Sequence, residues 1–166
     1  MKINLLFVLT LFLLFGCVKQ EPTQMTNQEQ ETAKKEIKDV VKSITQGLEN
    51  LNAETSFKPY LNSPDFILFT VQGSMVNYQR AKDEHAAWFN TLTSLKVTTI
   101  KEEFRFLPDN IVIFPWLGKF EMIFKTGEQL TVDFCVTMIF RKIDNQWIVI
   151  YQQTSQVPPA MQTKEG

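Results

Sequence analysis

The sequence predicts an α+β domain in which helices cover one face of a bent antiparallel sheet. Three observations support this fold class. An amphipathic helix lies near the N-terminus, a second helix follows a short hairpin, and the C-terminal half is a succession of long strands joined by tight turns. Helices followed by a meander of strands are typical of α+β domains, because the apolar face of such a sheet has to be buried by a layer of helices.

The first predicted helix begins with a capping box. In Thr26-Asn27-Gln28-Glu29, threonine and glutamate have the spacing at which each side chain accepts a hydrogen bond from the other residue's backbone N–H. Charged residues, mostly lysines, occupy one side of the helix that follows. Apolar residues recur at helical spacing on the other side, at Ile37, Val40, Val41, Ile44, Leu48 and Leu51. The helix is therefore expected to bury one stripe.

A hairpin and a second helix come next. Residues 66–71 are apolar on both phases, which predicts a strand covered on both faces, and Gln72-Gly73 predicts the turn that leads into a short return strand. From residue 79 to about residue 92 the spacing becomes helical again. One side of this helix carries Ala81, His85, Trp88 and Leu92. His85 is therefore expected to face inward or to line a cleft.

Long strands are predicted over the rest of the chain. The strand over residues 95–106 changes phase near Thr98 or Thr99, which indicates a β-bulge or a bend. Turn residues then separate three further strands, predicted at 111–124, 130–141 and 147–155. Strands joined by such tight turns pair antiparallel.

The N-terminal residues have the pattern of an export signal. Lys2 precedes an apolar run over residues 5–15, which is shorter than the roughly 20 residues that a membrane-spanning helix needs. Residues 14–17, Leu-Phe-Gly-Cys, resemble the bacterial lipoprotein signal, in which the chain is cut before the cysteine and the cysteine is acylated. The resemblance implies a signal peptide at 1–16, then a lipidated Cys17 with a flexible tether over 17–28, anchored to a bacterial cell-envelope membrane. An ordinary signal peptide with an incidental cysteine is the alternative.

The composition fits one exported domain. The 166 residues are 44% hydrophobic and include 14 Phe, enough for a single core. With Cys17 acylated, Cys135 has no partner for a disulfide, and its apolar strand favours inert packing in the core. A formal net charge of -1 without a basic patch argues against nucleic-acid binding. Residues 157–166, which begin Val-Pro-Pro, predict a loose tail.

Between residues 29 and 156 the order and lengths of the elements resemble the SnoaL-like branch of the nuclear transport factor 2-like superfamily. The most specific part is the closing segment TMIFRKIDNQWIVIYQQTS. There a strand ends in basic residues, a polar turn follows, and the last strand runs from Trp147 to Ser155. The resemblance implies a cone, in which a strongly curved sheet wraps around the helices and leaves a pocket at the open end. It also implies that the convex outer face of the sheet often forms a homodimer.

The strand over residues 131–140 has one wholly apolar phase and one mixed phase. We expect the apolar phase to contact the core or a partner, and we place the homodimer contact on the convex face at Phe134, Val136 and Met138, since an exposed apolar patch marks an interface. The mixed phase then leaves Asp133 and Thr137 for the cavity.

The predicted ligand-binding pocket combines this strand with the second helix and the last strand. Tyr151 and Gln153 share a phase with Trp147 on the last strand and join the pocket with Asp133 and Thr137, while His85 and Trp88 come from the helix. Relatives commonly carry a histidine near the end of the last strand. An amide does not titrate and a phenol titrates near about 10, so proton transfer from Tyr151 or Gln153 is not favoured.

Three functions remain open at this point. The first is a lipoprotein that binds a small, largely apolar ligand without catalysis, with Trp88, Trp116 and Tyr151 as stacking partners unless they only pack in the core. The second is an isomerase, dehydratase or cyclase in which Asp133 orients His85 as general base, unless His85 only hydrogen-bonds a backbone carbonyl. The third is a structural homodimeric module. A single histidine and the absence of spaced ligand clusters predict no metal site and no cofactor.

Overall fold

The computed structural model describes residues 24–158, which form three helices and seven strands. The helices are α1 (Asn27–Glu49), α2 (Ala53–Phe57) and α3 (Tyr78–Phe89). The strands are β1 (Ile67–Phe69), β2 (Met75–Val76), β3 (Leu92–Glu102), β4 (Arg105–Leu107), β5 (Ile111–Phe124), β6 (Gln129–Ile143) and β7 (Gln146–Gln156). The predicted signal peptide, Cys17 and most of the tether and tail lie outside the described residues.

The strands form one mixed sheet in the order β2-β1-β7-β6-β5-β3, with β4 beside β5. The long strands β3, β5, β6 and β7 pair antiparallel, as predicted. β1 pairs parallel to β7, so the sheet is not antiparallel throughout. Tight turns force their strands to run antiparallel, but β1 and β7 are separated by most of the domain and are free of that constraint.

Helix α1 forms as its sequence predicts. Thr26 Oγ1 accepts a hydrogen bond from Glu29 N at 3.3 Å, and the Glu29 carboxylate accepts one from Thr26 N at 2.7 Å, which completes the capping box. Its inner stripe is buried at Ala33, Ile37, Val41 and Ile44. The helix packs this stripe into the concave side of the sheet.

The two shorter helices differ from the predicted pattern. α2 was not predicted from the sequence, and the side chain of Asn52 caps it by accepting from Thr55 N at 2.9 Å. α3 ends at Phe89, and Leu92 already belongs to β3, where it is buried. The backbone hydrogen bond from Lys125 N to Thr91 O (2.8 Å) explains the early end of α3, because it pairs the chain before Leu92 with the end of β5.

Three irregularities interrupt the strand register. The first two lie in β3, between Leu92 and Ser94 and between Thr99 and Lys101, and the second of these confirms the predicted irregularity near Thr98 or Thr99. The third lies in β7, where Val149 pairs with Phe140 and Tyr151 pairs with Ile139, so that Ile150 is an extra residue. An extra residue reverses the alternation of faces beyond it.

The apolar core fills the closed end of the cone. Phe114 and Phe140 are fully buried there, with ring centroids 5.9 Å apart in an edge-to-face contact. Val112 and Val149 are also completely buried. The open end is not filled in this way, and the cavity described below lies there.

Strand β3 is an edge of the sheet. The side chain of Glu49, the last residue of α1, accepts a hydrogen bond from Val97 N at 3.0 Å. One N–H of this edge strand therefore has a partner from the same chain.

Gly47 lets α1 and α2 approach closely. A Cβ atom built on Gly47 would overlap the backbone N and Cα of Ser56 in α2. Because these are backbone atoms, they cannot move aside as a flexible side chain could.

We expect Gly47→Ala to destabilise the domain by about 1–3 kcal/mol through overpacking, although alanine is the better helix former by about 1 kcal/mol. Urea unfolding measures the free energy change. Gln46→Ala, at the exposed neighbouring position, is the control and should change stability by less than about 0.5 kcal/mol. Equal stability of the two variants would contradict the close contact.

Candidate functional site

A cavity of about 670 Å³ opens between the concave face of the sheet and the helices. Its walls are the C-terminal half of α1, parts of α2 and α3, the β1–β2 hairpin, and inward-facing residues of β5, β6 and β7. Pockets that bind small molecules measure about 300–1,000 Å³. The cavity is therefore large enough for a drug-sized ligand.

Aromatic side chains form much of the wall. Trp116, Phe120 and Phe134 are in edge-to-face contact, with ring centroids 6.0 Å and 4.9 Å apart in successive pairs. The indole N–H of Trp116 donates to Thr99 Oγ1 at 3.0 Å. The other aromatic lining residues are Phe57, Tyr60, Trp88 and Phe124. Such interlocked rings present a rigid surface on which a planar ligand can stack.

Gly118 makes room for the Trp116 indole. A Cβ atom on Gly118 would overlap the six-membered ring of this indole, which therefore lies directly over the glycine. The position of Trp116 in the cavity wall thus depends on the missing side chain at residue 118.

A short line of polar groups crosses the apolar lining. The Tyr60 hydroxyl donates to Gln152 Oε1 at 2.7 Å, and Gln152 Nε2 donates to Thr154 Oγ1 at 3.1 Å. Burial raises the pKa of Tyr60 far above its usual value. The phenol therefore stays protonated, and its proton is held by Gln152.

His85 reaches the cavity from α3. Its Nδ1 lies 2.8 Å from the Ala81 carbonyl oxygen, and only a protonated nitrogen can make that hydrogen bond. Burial lowers the pKa of His85 below its usual value, so the imidazole is neutral at neutral pH. Nε2 is then an acceptor. Of the two roles considered for His85 in the sequence analysis, the structure shows the hydrogen bond to a backbone carbonyl.

The cavity has little charge. Among the described residues, Glu84 is the only carboxylate in the lining, and no lysine or arginine lines it. Arg80 Nε pairs with the Glu84 carboxylate at 2.7 Å near the protein surface. An anionic ligand would thus find no cation inside the cavity.

The structure corrects the predicted faces of β6 and β7. Val132, Phe134, Val136 and Met138 line the cavity, so the alternating positions Asp133 and Thr137 lie on the outer, convex face. Placing the homodimer contact at Phe134, Val136 and Met138 was therefore wrong. Cys135 is exposed on the outer face, and its expected place in the core was also wrong.

Tyr151 and Gln153 lie on the outer face as well, and Gln152 and Thr154 take their place in the cavity. The bulge at Ile150 is the reason, because Trp147 and Val149 face inward before it and the even-numbered positions face inward after it. The prediction carried one phase through the whole strand. The apolar run over residues 147–151, which covers both phases, was the signal for the change.

The structure does not bring His85 and Asp133 together. His85 and Trp88 line the cavity as predicted, but Asp133 is on the other side of the sheet and its backbone carbonyl accepts from Val157 N at 2.8 Å. Trp116 is buried and also lines the cavity. Sequence reasoning missed Tyr60, which lies in an irregular segment between α2 and β1 and carries no periodic signal.

Two further findings concern residues 24–158. These residues contain no group of three or more histidine, cysteine, aspartate or glutamate side chains placed to hold a metal ion. No helix in the same range has the length and apolar character needed to cross a membrane.

The sequence matches no protein-family profile and no curated protein. Solved structures, however, share its fold. A nuclear transport factor 2-like superfamily protein from Salmonella enterica has 13% identity and a TM-score of 0.72, over 82% of this chain and 99% of its own. A protein from Novosphingobium aromaticivorans, provisionally named a scytalone dehydratase, has 7% identity and a TM-score of 0.74 over 80% and 89% of the two chains.

A third structure, provisionally named a calcium/calmodulin-dependent protein kinase II association domain, comes from Xanthomonas campestris. It has 19% identity and a TM-score of 0.64 over 74% of this chain and 86% of its own. The TM-scores establish the shared fold, whereas identities this low leave the activity open. The domain has the nuclear transport factor 2-like fold, an α+β cone with a pocket at its open end.

Proposed function

We propose that this domain binds a small, largely apolar, uncharged ligand and does not catalyse a reaction. The lining of the cavity carries the proposal, since aromatic and aliphatic side chains form most of it and surround a line of hydrogen-bonding groups at Tyr60, Gln152 and Thr154. Ligand sites combine an apolar wall with a few fixed polar groups in this way. Within the fold we place the chain in the SnoaL-like branch, on its closing segment up to Ser155.

The ionisable groups of the cavity support binding over proton transfer. A carboxylate on Nδ1 would stabilise the imidazolium that a general base forms, yet the described partner of His85 Nδ1 is the neutral Ala81 carbonyl. Tyr60 is held protonated by its burial, and Glu84 is paired with Arg80. The proposed isomerase, dehydratase or cyclase would thus have to work without the His85–Asp133 pair.

We further propose that the protein is exported and held by lipid on Cys17 to a bacterial cell-envelope membrane. The Leu-Phe-Gly-Cys sequence after an apolar run supports this. Acyl chains contribute about 0.8 kcal/mol per buried methylene. The nine residues between Cys17 and Asn27 reach at most about 32 Å, so the domain would stay close to the membrane surface.

As a second proposed function, the convex face forms a homodimer, with contact residues other than those first predicted. Four apolar side chains on this face follow the strand register in one row across the sheet, from Ile67 to Tyr151, Ile139 and Ile113. Ile67 is 37% exposed. A contiguous apolar row on an outer sheet face is typical of an interface.

The ligand proposal is tested with Nile red, a neutral apolar dye. We expect the dye to bind the wild type and, at 100 times its Kd, to add about 2.7 kcal/mol to the free energy of unfolding. Val136→Phe puts a ring into the cavity and should weaken binding at least about tenfold, as measured by dye fluorescence. Thr137→Val, the next residue on the opposite face, is the control. No binding to the wild type, or equal weakening in both variants, would contradict the proposal.

The anchor is tested by fractionating cells that express the full chain. Cys17→Ser should move the protein from the membrane fraction to the soluble fraction and abolish incorporation of labelled fatty acid, because the acylated atom is lost. Cys135→Ser should change neither result. Membrane association of Cys17→Ser equal to the wild type would refute lipid attachment at this residue.

The homodimer is tested by light scattering on the purified domain. Ile139→Glu puts a charge in the middle of the apolar row and should convert a dimer to a monomer, since an unpaired buried carboxylate costs several kcal/mol. Thr131→Glu, on the same face but near the end of the strand, should remain dimeric. A wild-type mass of one chain would rule the dimer out.

A further inference from the structure

His85 carries a hydrogen-bonding group that has no described partner and lies in the cavity wall. Its Nδ1 donates to the Ala81 carbonyl, and no described residue hydrogen-bonds to Nε2. The ring is held in place by aromatic neighbours, with centroid distances of 4.8 Å to Phe57, 6.1 Å to Trp88 and 6.2 Å to Phe89. The imidazole therefore presents a fixed acceptor to the cavity.

Several other polar groups of the lining already have partners. The Tyr60 proton goes to Gln152, and Gln152 donates in turn to Thr154. Thr45, on α1, donates to the Lys42 carbonyl at 3.0 Å. A ligand that covers Nε2 without supplying a donor leaves this acceptor buried and unpaired, which costs about 1–3 kcal/mol, so a ligand with a donor gains over one without.

Resting on the proposed function, we propose that His85 determines specificity: its Nε2 accepts a hydrogen bond from a hydroxyl or N–H group of a neutral, ring-bearing ligand. The rings of Trp88 and Trp116 in the wall favour planar ligands by stacking. The geometry thus favours compounds such as phenols over their ethers.

The same lining discriminates against anions. A carboxylate that enters the cavity loses its hydration, and no lysine or arginine of the described lining compensates it. A protonated His85 would provide such compensation, but it would then lose its role as an acceptor. The two recognition modes therefore make opposite predictions for alcohols and acids.

Three probes with the same ring system separate these modes: 2-naphthol, 2-methoxynaphthalene and 2-naphthoate. Binding is followed by quenching of tryptophan fluorescence at neutral pH. We expect 2-naphthol to bind at least about tenfold more tightly than either of the others, and tenfold corresponds to about 1.4 kcal/mol. A ratio near one between the alcohol and its ether would overturn the inference, and so would tighter binding of the acid.

Two variants assign the preference to a residue. His85→Phe keeps a ring among aromatic neighbours but removes the acceptor, and it should bring the ratio between 2-naphthol and 2-methoxynaphthalene close to one. Thr45→Val removes a cavity hydroxyl that already donates its proton to the Lys42 carbonyl. This variant should keep the wild-type ratio between the affinities for 2-naphthol and 2-methoxynaphthalene. A preference that survives in His85→Phe would overturn the role of His85.

A measurement on the wild type keeps the inference testable if His85→Phe does not fold. His85 is the only histidine of the sequence, so its ¹⁵N resonances need no assignment in a protein without a histidine tag. Saturating 2-naphthol should shift the Nε2 resonance, and 2-methoxynaphthalene should not. Nile red separates the two proposals. If it binds while 2-naphthol does not, only the role of His85 fails; if neither binds, the proposed function fails too.

Discussion

The extra residue at Ile150 is the constraint on which the cavity depends. Before it, Trp147 and Val149 face the helices and close the narrow end of the cone. After it, Gln152 and Thr154 occupy that face and give the open end its polar groups. Without the extra residue, Tyr151 and Gln153 would face inward in place of Gln152 and Thr154. One backbone irregularity thus divides the concave face into a packed core and a lined hollow.

Three polar side chains of the hollow, those of Tyr60, Gln152 and Thr154, are hydrogen-bonded in one line. Gln152 is 8% exposed, and a buried amide without partners would cost about 1–3 kcal/mol. Tyr60 supplies the partner from the segment before β1, where a short parallel bridge to Val149 fixes the backbone. The aromatic side chains of the wall contact each other edge to face, from Trp116 to Phe120 and from Phe120 to Phe134.

The helix cap at Thr26, the α1 stripe and the order of the long strands could be predicted from the sequence, because each rests on local spacing. The faces of β6 and β7 could not, since an apolar row fits a core, a cavity wall or an interface equally well. The bulge near Thr98 was visible as a change of phase, whereas the one at Ile150 was hidden by apolar residues on both sides of the strand. His85 was placed correctly, but its partner depended on the register of a distant strand.

The carboxylate of Glu49 affects whether another copy of this chain can pair with the edge strand β3. It caps an N–H on the free border of β3, where a neighbouring molecule would otherwise add a strand. Backbone pairing of another chain with this edge strand would bury the negative charge of Glu49 between two chains. Natural sheets place charges at their edges to prevent such edge-to-edge aggregation. Charged Lys96 and Lys101 next to it add to the same barrier. Addition of a further strand at this edge, which would lead to open-ended polymerisation, is thereby disfavoured.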